Sequence, residues 1–159
     1  MHNTTHPYHD ANYIFNLLRS HNLLTQEQIL QLTPRTVVAQ RRGQDLVQWL
    51  SGLHMNKADG KGILEEADIL SLIAQDRGWP FMRLDPLKLE MDTVTRLLPA
   101  SFARKRLVLP IKMQDGLLTA ACYNPLDKEL KEDIERVFHG EIQLITAPKA
   151  DITPWPMSS

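Results

Sequence analysis

A single cysteine, Cys122, excludes an internal disulfide, so nothing in this 159-residue chain needs oxidation to fold. It lies in the apolar run Leu117 to Tyr123 with no base beside it, which reads as a small buried hydrophobe rather than a nucleophile. Charge of one sign is also lacking. The formal net charge is −1, without the basic excess of a dedicated nucleic-acid binder. No apolar run approaches the ~20 residues of a membrane-spanning helix. Met1 to Asp10 is polar and histidine-rich, without the apolar stretch of a signal peptide. The expectation is a cytoplasmic protein with no cofactor and no direct membrane insertion.

Catalytic motifs are missing too. There is no G-x-x-x-x-G-K-[ST] phosphate loop, and Asp59-Gly60-Lys61-Gly62 is too short and lacks a hydroxyl for magnesium. A calcium loop ending at Glu66 would place Met55 and Lys57 at its first two ligand positions, where neither side chain can coordinate the ion. Glu65-Glu66 and Glu132-Asp133 are adjacent helix positions that do not face each other, so neither is an acid/base pair. Arg104-Lys105-Arg106 reads as a helix C-terminus, where cations suit the dipole. His2, His6 and His9 lie in what reads as a mobile tail, without ligands on a rigid element beside them. No catalytic residue and no metal ligand is expected.

What is there is patterned apolar material, 43% of the chain, enough for one domain or two small subdomains with real cores. Residues 1–11 read as a disordered tail. From 12 to 78 the spacing is helical. Tyr13, Ile14, Leu17 and Leu18 share a face. Thr25 and Gln28 form a capping box ahead of Ile29, Leu30 and Leu32. Thr33-Pro34 reads as the start of a further helix, with proline at its first position. Val37, Val38, Leu46, Val47, Trp49 and Leu50 suit one helix or two broken near Gly43. Ser51 to Gly62 is a loop, and Ile69, Leu70, Leu72 and Ile73 line a last helix that Gly78 and Pro80 stop. A weak repeat joins Asn22-Leu23-Leu24-Thr25 and Gly62-Ile63-Leu64-Glu65, each opening a helix.

Beyond an extended join over Pro80 to Pro86, short helices are expected at Met91 to Leu98 and Pro99 to Arg106. Leu107 to Ile111 and Leu117 to Ala121 are strand-like, and Asp115-Gly116 between them is a hairpin turn. Pro110 belongs at an edge or a bulge. Lys128 to Phe138 is an amphipathic helix and Glu141 to Thr146 a third strand. The expected fold class is therefore α+β: a helical subdomain over 12–78, a small three-stranded β-β-α-β subdomain over 79–150, and a tail over 151–159. Tyr13 and Phe15, which point in different directions from one short helix, and Trp49, at a helix end, are the candidate partner-binding residues, since large apolar side chains in such places mark interfaces.

An ordered series of segments carries a family resemblance. Gly62-Ile63-Leu64-Glu65-Glu66 runs through Asp68-Ile69-Leu70 to Gly78-Trp79-Pro80 and Leu84-Asp85-Pro86. Leu98-Pro99, Phe102-Ala103-Arg104, Leu107 to Ile111, Asp115 to Ala121 and Asn124-Pro125-Leu126-Asp127 follow. The succession resembles the N-terminal domain of type II secretion and type IV pilus assembly ATPases. The resemblance implies a two-part domain without catalytic residues of its own. In one branch it docks on the cytoplasmic part of an inner-membrane assembly protein. In another it binds cyclic di-GMP through repeated motifs beginning Arg-Leu-Gly. Here Tyr13-Ile14-Phe15 stand at the first such place. Arg41-Arg42-Gly43 followed by Leu46 is a partial match, which makes Arg41, Gly43 and Leu46 the candidate nucleotide-binding residues. An insertion through Ser51 to Lys61 separates them from Gly62. The resulting expectation is a docking or regulatory domain, with a cyclic di-GMP sensor as the alternative.

Overall fold

The computed structural model describes residues 5–85 and 98–153. The chain divides into two compact units, Met1–Arg77 and Gly78–Ser159.

The first unit is helical, and its boundaries follow from capping chemistry. Helix α1 spans Ala11–Ser20, opened by Asp10, whose carboxylate accepts the Tyr13 N–H at 3.1 Å. Helix α2 spans Gln26–Arg41 and opens on the expected capping box of Thr25 and Gln28. It ends before Gly43, which takes the positive φ (69°) of a helix stop. Helix α3, Leu46–Ser51, opens on Asp45, whose carboxylate accepts the N–H groups of Val47 and Gln48. Helix α4, Glu66–Arg77, closes at Gly78.

Two sequence expectations need correction here. The first is Thr33-Pro34, which lies inside α2 and does not start a helix. Leu32, Thr36 and Ala39, on both sides of the proline, are buried on one continuous face, and that packing outweighs the lost N–H. The second is the tail over residues 1–11. Pro7–His9 form a 3-10 turn with Tyr8 buried; the Tyr8 N–H donates to His6 Nδ1 at 3.0 Å, and the His9 ring bonds the Gln44 carbonyl at 3.1 Å. His6 and His9 thus serve this turn; His2 lies outside the described residues.

The weak repeat is structural. Asn22 and Gly62 both have positive φ (59° and 105°), Leu24 and Leu64 are both buried two residues later, and a helix follows each. The preceding helices also correspond. Buried Ile14, Phe15 and Leu18 of α1 recur in spacing as buried Leu46, Val47 and Leu50 of α3.

The second unit holds helix α5 (Ala100–Arg106), strands β1 (Val108–Gln114) and β2 (Leu117–Cys122), helix α6 (Lys128–Val137), strand β3 (Glu141–Thr146) and helix α7 (Lys149–Ile152). The sheet order is β1-β2-β3; β1 pairs β2 antiparallel, β2 pairs β3 parallel, and α6 makes the crossover that a parallel pair requires. Leu107 is not a strand residue but the left-handed cap of α5, with φ 53°. Pro110 lies on the edge strand at a register shift, where a missing N–H breaks no central ladder. Leu98, Val108, Leu118, Ala120, Cys122, Leu130 and Ile134 form the core between the sheet and its helices.

The expected join over Pro80 to Pro86 is stitched to this sheet as far as it is described. The Met82 N–H donates to the Thr146 carbonyl at 3.0 Å and the Thr146 N–H to the Pro80 carbonyl at 2.8 Å. Pro86 and the expected helix over Met91 to Leu98, except Leu98 itself, lie outside the described residues. The expected tail over 151–159 begins as structure: Ile152 is buried, and Asp151 takes the Arg83 guanidinium through both carboxylate oxygens (2.7 and 3.2 Å) and the Leu84 N–H at 3.1 Å.

Asp115 and Gly116 have φ of 53° and 80°, the paired positive values of a type I′ hairpin. Gly116→Val should destabilise the second unit by about 1–3 kcal/mol, because a β-branched residue is strained at that φ however open the space around it. Urea denaturation checks this; an unchanged midpoint would show that the turn relaxes to another type.

Candidate functional site

The first unit carries a cleft between α1 and α2, with an open volume of about 460 Å³. The Thr25 capping box and the Asn22 turn make it by folding the two helices back on each other. Phe15, 6% exposed, lies in its floor, and Leu30 and Val37 line it with 62% and 39% of their surfaces exposed. Asn12, Asn16, Gln26 and Gln40 supply amides along it, and Arg19 is its one charged lining residue. Among the described residues no acidic side chain lines the cleft. Val38, 47% exposed, continues the apolar surface of α2 beside it.

Of the three candidate partner-binding residues, the structure brings only Phe15 into this cleft, and as floor rather than rim. Tyr13 is engaged elsewhere. Its hydroxyl donates to Asp76 Oδ2 at 2.5 Å and accepts from Arg77 Nε at 3.3 Å, while the Arg77 guanidinium stacks 4.8 Å from the ring centroid. Burial, with the Asp76 hydrogen bond second, pushes the Tyr13 pKa up to about 12. The trio fastens α1 to the end of α4. Trp49 is half-buried on α3, with the Arg35 guanidinium of α2 6.0 Å from its ring centroid.

Arg41 is exposed in the last turn of α2, Gly43 is that helix's stop, and Leu46 is buried at 1% exposure in α3. If Ile14 and Phe15 correspond to Leu46 and Val47 in the repeat, the position of Tyr13 falls on Asp45, the cap of α3. The sequence reading missed Leu30 and Val37, whose shared face is visible only if α2 runs unbroken through Pro34.

In the second unit, Arg106 is an ion-pair hub. Its guanidinium lies 3.6 Å from Asp127 and 3.3 Å from Asp133, and so ties α5 to α6. Arg136 also pairs with Asp133, at 2.9 Å. Cys122 is fully buried in β2, and burial pushes its thiol up to about 12, above the ordinary range of a reactive cysteine. Among the described residues no group of three or more His, Cys, Asp or Glu is placed to hold a metal, and no helix is long and apolar enough to cross a membrane.

A helical unit built on a repeat, followed by a β-β-α-β unit, defines the class as α+β. The particular family is plain from comparison. Residues 77–155 match the MshEN domain, which places that stretch in the family of N-terminal domains of type II secretion and type IV pilus assembly ATPases. The chain's fold is similar to MshE in a structure with cyclic di-GMP: TM-score 0.62, 23% identity, 87% of this chain and 92% of that one. It is also similar to the N-terminal domain of XpsE, with TM-score 0.56 and 19% identity over 96% of this chain and 94% of that one. No curated protein matches the chain.

Proposed function

We propose that this is a docking and regulatory domain, which links a secretion or pilus assembly ATPase system to the cytoplasmic part of an inner-membrane assembly protein. It would then work in the cytoplasm, held at the membrane through that partner. The observation that carries the reading is the α1–α2 cleft, whose apolar residues Leu30 and Val37 stay exposed in a unit that buries Leu18, Leu24, Leu32, Leu46, Leu50, Leu64 and Leu70. Apolar surface left outside the core, grouped in a cleft, is what a partner would cover. Titrating the full chain against the purified cytoplasmic part of the assembly protein tests it, and absence of binding at the concentrations of a working complex removes the reading.

The second reading, a cyclic di-GMP sensor, is favoured by one observation, the likeness to MshE. The local chemistry works against it. Tyr13 stands at the first Arg-Leu-Gly place and is already committed to Asp76 and Arg77, and at the second place Arg41 and Gly43 followed by Leu46 give only a partial match. Calorimetry should therefore detect weak binding of cyclic di-GMP or none. Micromolar binding lost in Arg41→Ala would make the sensor the better reading.

A further inference from the structure

We infer that the α1–α2 cleft is the seat of an acidic amphipathic helix presented by the docking partner; this rests on the docking reading and specifies its chemistry. Three observations converge. The cleft is long: its α2 side runs from Gln26 to Gln40, about four helical turns or roughly 20 Å at the α-helical rise. That length suits a helix laid along it, with side chains spaced i, i+3, i+4 and i+7 entering between Leu30 and Val37 over the Phe15 floor.

The second observation is charge. Residues 11–42, which make α1 and α2, carry four arginines (Arg19, Arg35, Arg41, Arg42) against Glu27 alone, a net +3. Residues 43–77 of the same unit carry six acids against three bases, a net −3, so the positive charge belongs to this helix pair and not to the chain. All four arginines are exposed. Arg19 lines the cleft beside Gln26 and Arg41 follows Gln40 at its other end, whereas Arg35 stacks on Trp49 of α3. An apolar stripe with a guanidinium group at each end complements a helix with leucines on one face and carboxylates on its flanks.

The third observation separates a peptide from a lipid surface. The apolar residues line a cleft and not a convex ridge, and the exposed face of α2 has no aromatic residue and no lysine to settle in a headgroup layer. A concave seat accepts protruding side chains, which a bilayer does not offer.

The test uses the full chain and two labelled synthetic helices of about fifteen residues, the length that matches the cleft. One has a leucine face flanked by glutamates; the other has the same pattern with lysines. Fluorescence anisotropy should show binding of the acidic helix and not of the basic one. Leu30→Asp and Val37→Asp should each weaken binding at least tenfold, and Arg19→Glu with Arg41→Glu should weaken it and flatten its salt dependence. These positions are exposed or half-exposed, and circular dichroism confirms that each variant is folded. Equal binding of the two helices, or binding unaffected by Leu30→Asp and Val37→Asp, overturns the inference. So does a Val37-dependent association with phosphatidylglycerol vesicles in place of the acidic helix. The cytoplasmic part of the assembly protein is titrated in parallel. If it binds wild type and the cleft variants equally, docking stands and the seat lies elsewhere; if it fails to bind at all while the acidic helix binds through the cleft, the assembly-protein reading fails and the seat stands.

Discussion

Leu118→Ala should lower the stability of the second unit by about 3 kcal/mol, with a range of about 2–5. Leu118 is fully buried in β2, the middle strand, in the core it forms with Val108, Leu130 and Ile134. Strand β2 pairs on both sides, so its backbone cannot close in to fill the vacated volume, and the cost includes the cavity as well as the lost transfer energy. For a unit of this size the melting temperature should fall by roughly 10–20 °C. Met113→Ala, on β1 and 40% exposed, should cost no more than about 0.5 kcal/mol. Calorimetry on both variants decides the matter. Equal, small losses would mean that the sheet face carrying Leu118 is not the core.

The contrast between those two residues shows what local rules reveal. Strands β1 and β2, their Asp115-Gly116 turn, the Thr25 capping box and the stop at Gly78 are each set by chemistry within a few residues, and each was legible in the sequence; a break near Gly43 was one of two alternatives there. Tyr8 and Ile152 were not. Both lie in short, polar terminal segments with no periodicity, and what orders them is contact with distant parts of their units: His9 with Gln44, and Asp151 with Arg83 and Leu84. The candidate site was harder still. Large aromatics drew attention to Tyr13, Phe15 and Trp49, yet size does not say which way a side chain faces; Phe15 went to the floor of the cleft and Tyr13 to the end of α4. The rim residues Leu30 and Val37 are ordinary aliphatics seven positions apart, a spacing that means a common face only within one helix. A proline between them hides it.

That proline supports a second large effect, opposite in sign. Pro34→Ala should stabilise the first unit by about 2 kcal/mol. A proline in a helix interior has no N–H to offer the Leu30 carbonyl and crowds it with its ring, at a cost of about 3 kcal/mol relative to alanine. Against this, proline restricts the unfolded chain, which returns about 0.4–1 kcal/mol that alanine would forfeit. Pro34 is exposed, so the substitution opens no cavity and removes no core contact. Urea denaturation followed by helical circular dichroism reads the result. A loss of stability would mean that Pro34 does begin a helix, as its pairing with Thr33 suggests in the sequence, and that Leu30 and Val37 share no continuous face. A gain of stability establishes α2 as one helix and makes the next measurement informative. Leu30 lies one turn before Pro34 and Val37 nearly one turn after it, so the proline sits between two residues lining the cleft, where a ring-induced bend would alter their spacing. Affinity of the acidic helix for Pro34→Ala should then fall while stability rises, because a residue retained at a cost in stability is expected where the site depends on it. Stability and affinity rising together would show that Pro34 is merely tolerated, and that the cleft does not depend on any bend it imposes.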